Sequence, residues 1–472
     1  MEKIVGLIFI CFFSEGVYAQ EYKEDSLPHP PQREDFRYIG NETHVLLENG
    51  NIYWIGTHEQ SGNEEIFFFD GQSGVVQVTD DGHGKKMLLV NQGGQFAWVE
   101  EVNGTFSLNF FNGESHVKIR SGLLSISWLR LSENGTLLWL EYDSVLREAH
   151  VNLFNGNEVK LLDSFGTNFL LEMDVNDLGQ ATWNRLDVSN RSQFTKHFDG
   201  LKTHLLTGEG EAGYYYSNRR GDLAWTVRDS FEDLTGTLFY LIDGIPTVID
   251  EGVSSAVLNE NGQITWVKGA YSDEMRELFF FDGSNLSSIG KIEAPSLLQK
   301  HLLNDAGDMV IHVSAGIEDH SLFIVNDGMI SVSQDHLRAI GTMMLVDDGA
   351  LFLEFKDDTY GQMRVFGLYK NGRFTPLTYG IVAYQASSYQ TSGNKAVWLE
   401  KMGTSNVKRL ALYDGEKMHY SDYHRDDIND VIFPSVKLNE NGSVLVHGKE
   451  GPDSTNYFLK LLRPVKESIF HQ

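Results

Sequence analysis

The sequence predicts an all-β protein, a β-propeller built from about ten four-stranded blades. Three observations indicate this fold class. A phrase that joins a glycine to a following tryptophan recurs about every 43 residues. A second phrase, ending in Asp-Gly or Asn-Gly, follows each glycine by about twenty residues, and short aromatic or β-branched runs lie between the two. Four short strands in a repeat of roughly 40–45 residues form one propeller blade.

The first phrase reads "LNENGQITW" at 258–266 and returns along the chain as a turn between two strands. Its anchors are Gly50, Gly94, Gly135, Gly179, Gly221, Gly262, Gly307, Gly349, Gly393 and Gly442. A tryptophan stands four or five residues after seven of them, at Trp54, Trp98, Trp139, Trp183, Trp225, Trp266 and Trp398. A large ring at one fixed place in the repeat predicts burial between neighbouring blades. Trp128 alone is outside this pattern.

The second phrase reads "FFFDG" at 67–71 and again at 279–283. Asp-Gly and Asn-Gly accept positive φ in a two-residue hairpin turn, and aromatic or β-branched residues precede each copy. Each unit therefore has one strand entering the glycine turn, one leaving it, one ending at Asp/Asn-Gly and one after it.

These motifs carry a family resemblance. The pattern Asn-x-x-Gly-x-φ-x-Trp (φ here an apolar residue), followed by Leu/Phe-Phe-x-Asp-Gly, resembles the propeller repeats of the TolB-like superfamily and of exported bacterial tandem-repeat proteins. The resemblance covers roughly residues 41–462. It implies a propeller that serves as a partner-binding scaffold, as the lid of a peptidase or, less often, as an enzyme.

The domain organisation follows from the uninterrupted repeat. No Pro/Gly/Ser-rich linker separates any two units, so the sequence favours one propeller over 35–472, with two smaller propellers as the alternative. Residues 20–34 are predicted to be an extended leader. Pairing "DFRYIG" (35–40) with "NYFLKLL" (456–462) would close the ring and remove two exposed strand edges.

The N-terminus predicts export. Residues 1–19 have a lysine, a short apolar run and small residues before a cleavage site, which is typical of a signal peptide. We expect a secreted or periplasmic, monomeric protein without a membrane span. Its single cysteine, Cys11, lies inside this signal, so disulfides are excluded from the mature chain. The net charge of -28 argues against nucleic acid and anionic membranes as partners.

The loops between second and third strands are the predicted place for function, because propellers gather them on one face around the channel. Most of these loops carry carboxylates. The candidate ligand-binding residues are Asp229, Asp233, Asp273, Asp319, Asp357, Asp358 and Tyr360. Convergence would create a negative potential that attracts a divalent cation such as calcium, a polyamine or a basic protein segment. The expected partner is a protein, peptide or glycan ligand at this face. Simple solvation of these acids is the alternative.

The segment "HYSDYHRDDIND" (419–430) lies in the longest interval between two glycine anchors. His424, Asp426 and Asp427 are its candidate metal ligands, because imidazole with carboxylate suits a divalent ion. Arg425 would oppose a cation, and the ligands have no regular spacing.

Two functions remain open from the sequence. The first is a non-catalytic scaffold that binds a partner or ligand through an acidic channel face, without a resident cofactor. The second is a polysaccharide lyase or glycoside hydrolase that uses channel carboxylates as acid and base. A pair of carboxylates, one with a raised pKa, near an arginine or tyrosine would favour the second.

Overall fold

The protein is described from a computed structural model. Its described residues are 22–28, 43–58, 61–143, 145–166, 169–187, 192–208, 212–230, 232–242, 244–270, 272–273, 275–293, 297–314, 320–326, 329–337, 340, 343–346, 348–357, 363–370, 373–379, 389–401, 408–421, 435–449 and 457–464. All regular secondary structure in these residues is β-strand.

A first strand, β1 (Tyr22–Leu27), precedes the repeat units, which are numbered here by their glycine turns. The strands of units 1 to 3 are β2 (His44–Leu46), β3 (Ile52–Thr57), β4 (Glu64–Phe69), β5 (Val75–Gln77), β6 (Gly84–Val90), β7 (Phe96–Val102), β8 (Thr105–Phe111), β9 (His116–Leu123), β10 (Ile126–Leu131), β11 (Leu137–Asp143), β12 (Glu148–Phe154) and β13 (Val159–Phe165). Those of units 4 to 6 are β14 (Phe169–Val175), β15 (Ala181–Asp187), β16 (Ser192–Phe198), β17 (Thr203–Leu205), β18 (Ala212–Ser217), β19 (Leu223–Arg228), β20 (Gly236–Ile242), β21 (Ile245–Leu258), β22 (Ile264–Lys268), β23 (Met275–Phe281) and β24 (Leu286–Glu293).

The remaining units continue in the same order. Their strands are β25 (Leu297–Leu303), β26 (Met309–Ser314), β27 (His320–Asn326), β28 (Met329–Leu337), β29 (Met343–Leu345), β30 (Leu351–Asp357), β31 (Met363–Lys370), β32 (Arg373–Tyr379), β33 (Tyr389–Ser392), β34 (Lys395–Lys401), β35 (Lys408–Tyr413), β36 (Met418–Ser421), β37 (Ser435–Leu438), β38 (Val444–Lys449) and β39 (Tyr457–Pro464).

The described strands form antiparallel sheets in sequence order, each made of one repeat unit, with two exceptions. The first is the last sheet, which has the order β1-β39-β38-β37. The second is a seven-stranded sheet, β18 to β24, which joins units 5 and 6. Its 14-residue strand β21 pairs with β20 through Ile245–Val253 and with β22 through Val253–Leu258. One long strand thus serves as the last strand of unit 5 and the first of unit 6. The chain is a β-propeller.

The glycine turns confirm the first sequence phrase. All ten anchor glycines lie between the first and second strands of their units, with φ from 53° at Gly393 to 97° at Gly221. Only glycine adopts this left-handed region without steric cost. The amide of Gly262 donates to the carbonyl of Asn259 at 3.2 Å, which closes the turn.

The asparagine of the phrase links five of the described units to the next. Asn259 Oδ1 accepts a hydrogen bond from the amide of Gln263 at 2.8 Å, while its Nδ2 donates to the carbonyl of Asn304 at 2.8 Å, in the following turn. The same bond to the next turn is made by Asn91, Asn218, Asn304 and Asn439. The repeat therefore encodes both the turn and its attachment to a neighbour.

The last unit is attached to the first in the same way. Asn439 Nδ2 donates to the carbonyl of Leu47 at 3.1 Å, and the amide of Glu440 donates to Glu48 Oε2 at 2.7 Å. Around the ring, first strands of neighbouring units lie side by side, for example β6 beside β2 and β10, and β37 beside β33 and β2. The first strands therefore surround the centre of a closed ring.

The strand that completes the last sheet differs from the prediction. β39 pairs with β1, with Tyr22 opposite Pro464 and Leu27 opposite Leu459. The pairing strand thus comes from the predicted leader rather than from 35–40, which lie outside the described residues. The free edge of β39 needs backbone partners and little side-chain specificity, so the polar segment "YKEDSL" can serve.

The repeated tryptophans are buried between units, as predicted. Each of the seven is at most 2% exposed. Trp139 packs on Ala97 and Val99 of the preceding unit, and Trp54 of unit 1 packs on Leu459 and Leu461 of the last unit.

The Asp/Asn-Gly turns also occur, but one residue out of the predicted register. In the turn after β8, the amide of Asn112 donates to the carbonyl of Ser115 at 3.2 Å, so Gly113 and Glu114 are the two central residues. Asn112 Oδ1 accepts the amides of Glu114 and Ser115 at 2.9 and 2.8 Å. An Asp or Asn is favoured in these turns because its side-chain oxygen, at the first turn position, accepts hydrogen bonds from the backbone amides that follow.

Candidate functional site

The predicted loop carboxylates that the structure describes make bonds inside their own loops. Asp233 Oδ2 accepts from Ser230 Oγ at 3.0 Å. Asp273 Oδ2 accepts from the amide of Ala270 at 2.7 Å. Asp229 is exposed. For these acids the observed bonds stabilise local turns, and their convergence on a ligand stays a prediction.

The side chains of the other predicted site residues lie outside what the structure describes. Asp357 ends β30, but only its backbone is described. The remaining positions, all outside the described residues, are Asp319, Asp358, Tyr360, His424, Asp426 and Asp427. The predicted metal segment therefore stays a prediction as well.

The first strands reveal a different candidate site, at the centre of the ring. Along a strand, alternate side chains point to opposite faces, so alternate residues of a first strand face the preceding and the following unit. Between units 2 and 3, Met87 and Leu89 of β6 pack with Leu129 and Leu131 of β10 in one apolar cluster. Such contacts are the expected filling between blades.

Between units 4 and 5, the equivalent positions are polar. Glu172 and Asp174 of β14 face Tyr215 and Ser217 of β18, and Asp174 Oδ2 accepts a hydrogen bond from Ser217 Oγ at 3.2 Å. Met173, between the two acids, points the other way into the apolar cluster with Trp183. Among the first strands that the structure describes, only this interface is polar at all four positions.

Tyr215 presents an unused hydrogen-bonding group to this site. Its side chain is 7% exposed, and its hydroxyl has no hydrogen-bond partner among the described residues. Burying a hydroxyl without a partner costs about 1–3 kcal/mol. The hydroxyl oxygen is itself buried, whereas Glu172 is exposed and Asp174 is half-buried, so solvent or a ligand can reach the two carboxylates.

Electrostatic interactions couple the two carboxylates, the Tyr215 hydroxyl and a nearby arginine. Although the Glu172 side chain is exposed, partial desolvation by its neighbours raises the pKa of Glu172, the neighbouring Asp174 raises it further, and the Arg130 guanidinium on β10 opposes both. Burial also raises the pKa of Asp174, against hydrogen bonds from Val175 and Ser217 and against Arg130. Burial and then the two carboxylates raise the pKa of Tyr215 well above its usual value. The site is thus a partly desolvated pair of acids facing a neutral phenol.

Arg130 is held beside the site by its own contacts. Its Nη1 donates to the carbonyl of Leu129 at 3.1 Å, and its guanidinium lies 5.8 Å from the ring centre of Trp128. Trp128 has a φ of 53°, at an irregularity in the pairing of β10 with β11. The tryptophan outside the repeat pattern therefore lies next to this site, where it packs against the apolar cluster between units 3 and 4.

A second cluster could hold a metal ion by geometry alone. Asp81, His83 and Glu100 place one ligand atom each within 4.8 Å of one another, between units 1 and 2. His83 Nδ1 lies 3.8 Å from Asp81 Oδ1 and 3.9 Å from Glu100 Oε2. These spacings suit three ligands around a divalent ion.

The cluster already contains its own cation. Lys85, fully buried, bonds to Asp81 and lies 3.4 Å from Glu65 Oε2, while Lys118 Nζ lies 2.8 Å from Glu100 Oε1. Burial would raise the pKa of Asp81, but the hydrogen bond from Lys85 and the amide of His83 outweigh it, and the pKa is lowered. We therefore interpret this cluster as an ion network that joins two blades.

Similar networks recur beside the buried tryptophans, which supports that interpretation. Trp183 Nε1 donates to Asp163 at 3.0 Å, and Lys196 binds the same carboxylate at 2.6 Å. Trp266 and Lys268 share Asp250 in the same way, at 3.0 and 2.6 Å. An acid with a lysine is thus part of the packing between units.

Sequence reasoning missed the β14–β18 site because it searched the loops. One signal was available: "LEMDV" places two acids at alternate positions of a first strand, where β6 has Met87 and Leu89. Aligning the first strands on their glycine turns would have shown this substitution.

Comparisons with known proteins add little. No protein-family model matches the sequence, and no curated protein matches it. A eukaryotic initiation factor structure has 11% identity over 76% of this chain and 95% of that chain, with a TM-score of 0.42. The β-propeller domain of the trilobed protease from Pyrococcus furiosus has 12% identity over 63% and 95%, with a TM-score of 0.32. Dipeptidyl peptidase 4 from Porphyromonas gingivalis has 8% identity over 88% of this chain and 58% of that chain, with a TM-score of 0.38.

A search of the described residues for a helix long and apolar enough to cross a membrane found none.

Proposed function

We propose that this protein is an exported, non-catalytic propeller that binds a ligand at the centre of its ring, between β14 and β18. One observation carries the proposal: Glu172, Asp174, Tyr215 and Ser217 replace the apolar side chains expected between first strands. Natural proteins keep such groups in place of apolar packing where a function needs them.

The rest of the proposal follows the sequence. We propose a single propeller of ten blades, of the TolB-like type, in which the seven-stranded sheet counts as two blades. The contacts between the last and first units support one ring. Export rests on the predicted signal peptide at 1–19, and the monomeric state on the sequence alone.

Thermal melts of the mature protein test ligand binding. We would add neutral oligosaccharides, small amines, amino acids and short peptides, and compare the wild type with Tyr215→Phe. A melting shift that is lost in this isosteric variant would support a site at β14–β18. Shifts that are equal in both proteins would place binding elsewhere on the ring and overturn the proposal.

A second candidate function has a specific observation in its favour. Two carboxylates with raised pKa values beside an arginine and a tyrosine match what a polysaccharide lyase or glycoside hydrolase would need. Release of reducing ends from acidic and neutral polysaccharides would detect either reaction. Activity that Glu172→Gln abolishes would replace the non-catalytic proposal, and activity unaffected by it would point to a contaminant.

The loop carboxylates remain a separate proposal. A divalent cation such as calcium, bound only by the folded state, would raise stability by RT ln(1 + [L]/Kd). Melts with millimolar calcium and magnesium would read this directly. A calcium shift that survives Asp174→Asn but not Asp233→Asn would assign the ion to the loops.

A further inference from the structure

The charge balance between β14 and β18 limits which ligand can bind there. When ionised, Glu172 and Asp174 carry two negative charges, and Arg130 on β10 supplies one positive charge to both. One negative charge is left uncompensated at the centre of a ring whose formal net charge is -28. An anionic ligand would be repelled, and a neutral ligand would leave this charge unpaired.

The hydrogen-bonding groups set a second condition. The site offers the two carboxylates and the hydroxyl of Tyr215, which is buried, has no partner among the described residues and can accept a bond from a ligand that enters beside it. A primary ammonium group has three N–H donors and no acceptor. Three acceptors from two neighbouring strands therefore match one ammonium group.

We propose that the site between β14 and β18 binds the primary ammonium group of a small amine, with Glu172, Asp174 and the Tyr215 hydroxyl as its three acceptors. This inference rests on the proposed function and names the ligand class. Arg130 lies at the edge of the site, where its bonds to the Leu129 carbonyl and Trp128 ring hold it. There it limits the excess negative charge without filling the space between the acids.

Isothermal titration of the mature protein with 1,5-diaminopentane tests this, with 1,5-pentanediol as the neutral probe of equal length. The diamine should bind and the diol should not. Asp174→Asn should weaken diamine binding about tenfold or more, since a buried charge-assisted bond is lost, and Tyr215→Phe should weaken it less. Glu158→Gln is the matched control, because that acid lies on the surface beside Lys160 at 3.6 Å, and it should leave affinity unchanged.

The pH dependence gives an independent readout. The charged or titratable groups that act on the two acids are Arg130 from β10, Asp177 from the turn after β14 and Tyr215 from β18. Because the acids bind an ammonium only when ionised, affinity should rise as the pH is raised from 4 to 7. A pH-independent affinity would contradict the assignment of these acids.

The outcomes separate the inference from the proposed function. If a neutral sugar binds and Tyr215→Phe removes its binding while the diamine does not bind, the ring centre is a ligand site but the ammonium inference is wrong. If calcium binds there and Asp174→Asn removes it, the site is a metal site and the inference is also wrong. If Glu158→Gln and Asp174→Asn weaken the diamine equally, binding is a nonspecific effect of the acidic surface, and the inference is overturned.

Discussion

Two interfaces between neighbouring units have the same backbone arrangement but differ in the side chains that fill them. Between units 2 and 3, Leu129 is 1% exposed and belongs to a cluster of nine buried apolar residues. Between units 4 and 5, Tyr215 stands at the equivalent place. Its cluster has three buried members among the described residues, Tyr215, Leu223 and Trp225, with four partly buried apolar residues packed against them. The interface of units 2 and 3 has the asparagine bridge, from Asn91 to the carbonyl of Ser132, whereas at the interface of units 4 and 5 the amide of Asp177 donates to the carbonyl of Arg219 at 2.8 Å.

The difference shows that the repeat and the site use separate residues. Glycine makes the turn in all ten units, tryptophan fills the packing in seven, and asparagine makes the bridge from five described turns, so these residues recur independently of the site. The alternate positions of the first strand are free to vary once the ring is closed. Function can therefore differ between units without any change in the motif that defines the fold.

The largest expected effect concerns packing at the apolar interface. Trp139→Ala should lower the free energy of unfolding by about 3–5 kcal/mol, because a fully buried indole and its bond to Glu141 are lost. Trp225→Ala should cost less, since that cluster is smaller and the Trp225 indole N–H has no hydrogen-bond partner among the described residues. Urea denaturation measures both. Equal losses of unfolding free energy in the two variants would contradict a difference in packing between the two interfaces.

The asparagine bridges should matter equally wherever they occur, as between units 2 and 3 and between units 5 and 6. Asn91→Ala and Asn218→Ala should each lower the free energy of unfolding by about 1–3 kcal/mol, because a buried bond to the next turn is lost and the amide of Gln95 or of Asp222 loses its acceptor. Exposed Asn157→Ala is the control and should cost far less. A large effect at only one interface would show that the bridge is not a general element of the ring.

A histidine at the same strand position should make stability depend on pH. β25 has His301 where β10 has Leu129, and burial lowers the pKa of His301 to about 4. Its folded pKa lies below the unfolded value near 6.5, so its contribution is present above pH 6.5 and is lost as the pH falls toward 4.

Denaturation of His301→Asn at pH 7, 5.5 and 4.5 measures that contribution. The variant should show a shallower loss on acidification, by about 1.4 kcal/mol per pH unit between the two pKa values. Burial also lowers the pKa of His197 and of His312 to about 4, and both histidines are still present in the variant. The stability of the variant should therefore still fall on acidification, but less steeply than that of the wild type. An unchanged slope would mean that His301 is not buried in the folded protein.

The smallest effect should be a gain in stability at the polar interface. Asp174→Asn should stabilise the empty protein by about 1 kcal/mol at pH 7, because it removes a partly desolvated charge beside Glu172. The folded pKa of Asp174 is raised, so the wild type recovers stability as the pH falls, and the gain should shrink toward pH 4. A destabilised variant at pH 7 would indicate that the carboxylate is satisfied by the protein itself.

Much of the fold was predictable because the same sequence motif recurs ten times along the chain. The glycine turns, the strand order within a unit and the burial of Trp54 through Trp398 follow from local sequence. The closing strand was not predictable, because β1 pairs with β39 across more than 430 residues and its polar sequence has no signal for that pairing. Edge pairing uses backbone groups, which every residue carries.

The site was harder to predict for a different reason. Glu172 and Asp174 are two apart in sequence, but Tyr215 is more than 40 residues away, and Arg130 is as far in the other direction. Only the contact between first strands of neighbouring units brings them together. The loop carboxylates, which the sequence favoured, take part in local turns where the structure describes them, as Asp233 and Asp273 do.

A crystal structure of the mature protein grown with 1,5-diaminopentane tests the central claim most directly. The account predicts one ammonium nitrogen within hydrogen-bond distance, about 2.7–3.2 Å, of Glu172, Asp174 and the Tyr215 hydroxyl. Density for the diamine elsewhere, or a Tyr215 hydroxyl bonded within the protein and a dry apolar contact between β14 and β18, would contradict it.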